Sequence, residues 1–258
     1  MNFFDTHAHL NAEQFDGSLV DVIARAREES VSRINVVGTT LSDSLRAVQI
    51  AEDFDGVYAT VGIQPNYVSD AGSGDFDSII ELADRPDVIA VGETGMDRYW
   101  DRTPIELQRE FFCKHVELSL RVGKPFVVHM RNCGDDIVDV FNSFIDRKPL
   151  NGVMHSFTGD ECLAEKCIEF GLHISFAGML TYKKSDDLRR VAATIPMDRL
   201  LIETDCPYLS PHPHRSHRPN EPALIRHTAA CLAEQFGVSI EKMADVTTSN
   251  ALRLFGLD

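Results

Sequence analysis

Phe3-Phe4-Asp5-Thr6-His7-Ala8-His9 (FFDTHAH, residues 3–9) reads as a short buried strand carrying two imidazoles to its C-terminal end. Side chains two apart on a strand share a face, so His7 and His9 aim at one point. Neutral imidazole is a common metal ligand. A single His-x-His is equally a pair of packed histidines. What decides the reading is whether an apolar run closed by a ligand-type residue recurs.

It does recur. Working outward, strand patterns fall at 33–39, 57–63, 88–93, 125–129, 152–155, 172–176 and 200–205. Helical spacing fills the intervals, over 17–30, 41–54, about 75–85, 104–122, 134–146, 159–170 and 185–194. The longest of these has Pro104 near its start and Gly123 at its end, the expected asymmetry of helix termini. A last helix is expected over 221–236, followed by a small helical tail ending at Leu254. Regular β-then-α alternation calls for a parallel sheet. Eight units in 258 residues point to a single (β/α)₈ TIM barrel spanning residues 1–258 as one domain. The alternative, an open doubly wound sheet, does not need eight regular units.

The barrel reading demands reactive residues at the C-terminal strand ends. His7 and His9 end the first strand, Glu93 the fourth, His129 the fifth, His155 the sixth and Asp205 the eighth. Taken singly, each has a plainer explanation: a histidine bonded to a backbone carbonyl, or a carboxylate capping the next helix. Their conjunction at one mouth favours a metal centre. The N and O donors suit zinc, manganese, iron or nickel better than calcium, with magnesium also in the set. Six ligands exceed the usual three of one catalytic zinc. Two divalent ions roughly 3.5–4 Å apart fit better. His115, His173, His212 and His227 show no such placement and read as surface or packing residues.

Composition narrows the function. A net charge of −15 argues against broad, sheath-like nucleic-acid binding but not against a phosphate met at one spot, because bound ions reverse the local sign. The start lacks the pattern of a secretory signal, and no run reaches the ~18 apolar residues of a membrane span. Six cysteines without a Cys-x-x-Cys pair suit a reducing cytoplasm, and no membrane partner is expected. Arg131, Lys183 and Lys184 are candidate phosphate contacts, as are Arg215 and Arg218 in the loop after the eighth strand. Tyr99 and Trp100 offer rings to an unpaired base, or simply pack their loop down. His212, His214 and His217 lie in a Pro-rich loop, a poor frame for a third metal.

Several motifs run in order along the chain: Asp5 to His9, Gly92-Glu93-Thr94-Gly95-Met96-Asp97, Pro125 to Arg131 (PFVVHMR), His155-Ser156-Phe157-Thr158-Gly159, Glu203 to Leu209 (ETDCPYL) and Arg218 to Pro222 (RPNEP). With these the chain resembles the TatD family of metal-dependent hydrolases, within the wider amidohydrolase-like barrels. The resemblance implies a divalent-metal hydrolase cleaving phosphodiesters of DNA, often 3′ to 5′ on single strands. It implies that His7, His9 and Asp205 hold one metal and His129 and His155 the other, with Glu93 bridging. Asp205 and Glu93 are then the catalytic pair, Asp205 orienting or deprotonating water. Many members carry Gly-x-His-Pro-His after the third strand, where this chain has Gly62-Ile63-Gln64-Pro65-Asn66. The departure bears on the group facing substrate, so Gln64 joins Arg131, Lys183, Arg218 and Trp100 as substrate-contact candidates. The expected partner is DNA or another phosphodiester, and the expected state a monomer or weak oligomer. The competing readings are an amide or ester hydrolase, such as a D-aminoacyl-tRNA deacylase using the same metals, and a non-catalytic binding barrel.

Overall fold

The computed structural model describes residues 1–100 and 102–257. Strands and helices alternate as β1 (Phe3–Ala8), α1 (Leu19–Glu28), β2 (Val31–Val37), α2 (Leu41–Asp53), β3 (Val57–Val61), α3 (Asp75–Ala83), β4 (Val88–Asp97) and α4 (Ile105–Val122). They continue as β5 (Phe126–Arg131), α5 (Gly134–Ser143), β6 (Gly152–Met154), α6 (Glu161–Glu169), β7 (His173–Phe176), α7 (Asp186–Thr194), β8 (Leu200–Ile202), α8 (Ile225–Phe236) and α9 (Ile240–Phe255). All eight strands form one sheet in sequence order, each pairing parallel to the next. The seam between β8 and β1 is drawn together just above the strands. There Asp205 N donates to His7 O at 2.9 Å, and His9 N to Cys206 O at 2.7 Å. The architecture is the (β/α)₈ barrel, and the open-sheet alternative falls.

Two apolar layers hold it. The larger lies between strands and helices, with Phe3, Ile34, Val36, Phe112, Phe126 and Phe141 among its members. A second cluster joins Phe4, Val127, Val153 and Leu201 to Ala251, Leu254 and Phe255 of α9. Val127 and Val153 precede His129 and His155 by two, so they share the inward face of their strands. The histidines therefore stand on an apolar floor that α9 closes from the other end.

Several boundaries differ from expectation. Strand β4 does not stop at Glu93 but runs through Asp97, every residue buried. Strands β6 and β8 stop early, at Met154 and Ile202, leaving His155 one residue and Asp205 three residues beyond the ladder. The final helix is no small tail. Ser239 caps it, accepting from Lys242 N, and sixteen residues follow before Gly256 ends it at φ 66°. Residues 222–224 form a short 3₁₀ turn, so α8 begins at Ile225 rather than 221. Among the described residues no helix is long and apolar enough to cross a membrane. The described cysteines are all free; Cys162 is exposed and Cys167 buried.

Candidate metal centre

The six expected ligands meet at the C-terminal mouth. His7 Nε2 lies 3.2 Å from His9 Nε2 and 3.5 Å from Glu93 Oε2. Asp205 Oδ1 is 3.4 Å from His9 Nε2 and 3.8 Å from His7 Nε2. On the other side, Glu93 Oε1 is 2.8 Å from His129 Nδ1 and 3.1 Å from His155 Nε2. The Glu93 carboxylate therefore spans the site, one oxygen toward each pair of imidazoles. Asp205 reaches the mouth because its backbone turns left-handed, at φ 54°, after β8 ends.

Outer partners fix the rings. His9 Nδ1 meets Val37 O at 3.0 Å, His129 Nε2 meets Asp97 Oδ2 at 3.0 Å, and His155 Nδ1 meets Glu203 Oε1 at 3.3 Å. Each of these acceptors requires an N–H, so a neutral imidazole turns its lone pair inward. His7 is the exception: its Nδ1 is buried with no partner, and the ring stacks on His155 at 4.0 Å. Three inward lone pairs and two carboxylates thus face one another at short range, and among these four rings only His7, with Nδ1 unpartnered, is free to turn an N–H toward them. That arrangement is repulsive unless cations or protons sit among them, so the donor set fits bound divalent ions. Two groups of three donors lie within 4.8 Å of one another: His7, His9 and Asp205, and His7, Glu93 and His155. The second takes His7 rather than His129, although His129 Nδ1 lies only 3.4 Å from His155 Nε2.

The electrostatics agree. Burial works to raise the Glu93 carboxyl, but His155, His129 and His7 outweigh it and hold the group well below the ordinary range. Asp205 is likewise lowered against burial, chiefly by His9. Burial lowers His7, whereas His9 is raised despite burial by Asp205. His129 is raised by Asp97 and Glu93, and His155 strongly by Glu93 and Glu203, both against burial.

The centre opens into a cleft of about 1050 Å³ lined by Gln64, Asn66, Trp100, Arg102, Arg131 and Tyr208 among others. Gln64, Trp100 and Arg131 thus stand where the sequence reading needs them. The Arg131 guanidinium lies 3.8 Å over the Tyr99 ring, which meets Trp100 edge-on at 4.9 Å. Lys183 and Arg218 are exposed and do not line the cleft. Arg218 instead donates to Ser210 Oγ at 3.2 Å, and Arg215 covers the Tyr182 ring at 3.4 Å. Among the described residues, His212, His214 and His217 join no metal-type cluster. His115 and His173 are buried packing residues, and Cys206 is a buried thiol whose pKa is pushed far up by burial.

The outer partners Asp97, Glu203 and Asp5 were not anticipated as site residues. Asp5, fully buried and pushed up to about 7 by burial, accepts from Thr204 N and Oγ1 and so fixes the turn that delivers Asp205. Glu203 accepts from Ser156 N and Ser175 Oγ while holding His155. Strand alternation carried the signal for one of them: Asp97 shares parity with Glu93 along β4, whereas Glu203 and Asp205 both lie beyond the end of β8.

A (β/α)₈ barrel with a histidine-carboxylate centre at its C-terminal mouth is the frame of a metal-dependent hydrolase. A family model described as TatD related DNase matches residues 4–256, and the chain belongs to that family. It is 40% identical to the uncharacterized metal-dependent hydrolase YabD of Bacillus subtilis, covering 99% of both chains. It is 31% identical to the 3′-5′ ssDNA/RNA exonuclease TatD of Klebsiella pneumoniae, over 99% of this chain and 98% of that one. The crystal structure of YJJV, a TatD homologue from Escherichia coli, superposes with a TM-score of 0.92 at 27% identity over 98% of each chain.

Proposed function

We propose that this metal-dependent hydrolase is a deoxyribonuclease that shortens DNA from its 3′ end with two divalent ions. The observation that carries the reading is the Glu93 carboxylate, with Oε2 facing His7 and His9 and Oε1 facing His129 and His155. His7, His9 and Asp205 would hold one ion and His129 and His155 the other, with Glu93 between. Such ions, when bound, make hydroxide available near neutral pH and offset charge gathering on a phosphoryl group. Asp205, at the open side, accepts the proton of the attacking water. Gln64 Oε1 is occupied by Asn66 N at 2.8 Å, which leaves its amide NH₂ to donate to a phosphate oxygen. Trp100, 45% exposed on the rim, stacks an unpaired terminal base beside Arg131. Lys183 and Arg218 lie outside the cleft and take no part in this reading. The name of the Klebsiella relative supports the polarity and the single-stranded preference.

Cleavage of 3′- and 5′-end-labelled single-stranded DNA, with metal content measured on the same preparation, tests the proposal. The expected result is about two metals per chain and a metal-dependent ladder that shortens from the 3′ end. His129→Ala and Asp205→Ala should each lose it by a factor of 100 or more, on the order of the 10²–10⁴ contributed by a positioned acid or base. Two metals without DNA cleavage would instead favour a carbonyl substrate such as an aminoacyl ester, for which the uncharged Gln64-Pro65-Asn66 wall is better suited. Absence of metal and of activity would overturn both readings.

A further inference from the structure

We propose that Asn66 is a positioning residue for His129, acting through Asp97. The proposal rests on the reading of His129 as a metal ligand. Asp97 is buried, and its carboxylate accepts four hydrogen bonds. Tyr99 N and Trp100 N donate to Oδ1 at 2.7 and 3.0 Å. His129 Nε2 and Asn66 Nδ2 both meet Oδ2, each at 3.0 Å. A carboxylate offers about four lone-pair directions, so every one is used. The two Oδ1 bonds belong to the loop after β4. Those at Oδ2 set where the carboxylate points toward the mouth.

The Asn66 amide is placed at a cost. Its Oδ1 is buried with no hydrogen-bond partner. Such an orphaned buried acceptor is destabilising. Because Asp97 is an ionised acceptor, only the NH₂ end of the amide can face it, and the carbonyl end goes without. The backbone helps to hold this pose: Asn66 N donates to Gln64 Oε1, fixing the turn on which the amide stands.

The consequence reaches the metal centre through the tautomer of His129 rather than through a displacement of its ring. With Oδ2 pinned, His129 keeps its proton on Nε2 and presents the Nδ1 lone pair beside Glu93 Oε1. Without Asn66, Oδ2 retains one donor and the carboxylate can pivot about its Oδ1 bonds. His129, 17% exposed at its side chain, then exchanges its bond to Asp97 for water and populates the tautomer with the proton on Nδ1. That tautomer has no lone pair to give the metal. Outer partners of ligand histidines commonly alter metal affinity 10–100-fold. In this chain the position where the resemblance calls for a second histidine carries instead an amide in service of a ligand.

The test is competitive Zn²⁺ titration of the whole chain against a chromophoric chelator, paired with ¹⁵N NMR of the histidine rings. Asn66→Asp is isosteric and turns a donor into an acceptor opposite Asp97; Asn66→Ala removes the group; His129→Ala serves as reference. Both Asn66 variants should weaken one of two zinc equivalents about tenfold, leave the other unchanged, and shift the His129 ring signals from one tautomer toward a mixture. Wild-type binding of both equivalents by Asn66→Asp, with one lost in His129→Ala, overturns the proposal. Wild-type binding by His129→Ala overturns the ligand reading beneath it.

Discussion

Gly95 of β4 stands opposite His129 of β5 in the ladder. Its φ is +121°, and a Cβ there would sit 2.1 Å from His129 O, which is backbone and cannot swing aside. Gly95→Ala must therefore either push β5 outward or break the pairing that presents His129. The expected loss is about 2 kcal/mol or more, read as a lower urea midpoint together with reduced zinc content. Wild-type values for both would show that the ladder is more yielding than its spacing indicates. This residue-level tightness also explains what the sequence disclosed. The six candidate ligands, which the fold brings together, were legible as a group because each closes an apolar run in the sequence. Asp97 and Glu203 were not, because a carboxylate that only supports a histidine has no spacing rule of its own. The parity of Asp97 with Glu93 was visible, but using it required knowing that β4 continues four residues past Glu93, and Glu203 lies beyond the end of β8 where no parity applies.

At the level of elements, helix α4 clamps the loop after β3. His115 on α4 donates from Nδ1 to Phe111 O at 2.7 Å and accepts from Ile63 N at Nε2, at 3.0 Å. Gln108, one helical stretch earlier, accepts from Asp97 N and donates to Asp97 O and Thr103 O. One helix thus fixes both the Gln64–Asn66 wall and the rim loop. Burial pushes the His115 pKa down to about 4 from an unfolded value of 6.5. Between those values the unfolded chain binds a proton that the folded chain does not. Stability from this group is full above about pH 6.5 and falls as the pH drops toward 4, by about 2 kcal/mol at pH 5. Gln can replace both hydrogen bonds without titrating. His115→Gln should therefore lose about 2 kcal/mol less than wild type between about pH 7 and pH 5, measured by urea unfolding; equal losses would assign the acid sensitivity elsewhere. His115 read only as surface or packing from the sequence, since the Ile63 N–H it accepts from lies in a loop 52 residues away. Helix α9 was underestimated for a similar reason. Its Ala251, Leu254 and Phe255 gain their apolar partners from strand residues such as Phe4 and Val127.

For the whole molecule, the proposed deoxyribonuclease activity would require a chain of net charge −15 to meet a polyanion. In that reading, two divalent ions less the Glu93 and Asp205 carboxylates would leave about +2 at the mouth. Among the described residues, Arg102 and Arg131 are the lysines or arginines that line the cleft. This is a small attractive spot in a repulsive field, not a basic track. Each phosphate neutralised on a single strand contributes a salt slope of about −0.7. Two guanidiniums and two net charges from the centre therefore cap the slope near −3. Screening of the long-range repulsion works in the opposite sense and makes it shallower still. The expected slope of log kcat/KM against log [KCl] is between 0 and about −3, over roughly 0.05–0.3 M KCl with a short single-stranded oligonucleotide. Lengthening the oligonucleotide should leave the slope nearly unchanged, because added phosphates meet an acidic surface. A slope steeper than about −5 that grows with length would require an extended cationic path, and Lys183, Lys184, Arg215 and Arg218 would be the groups to supply it.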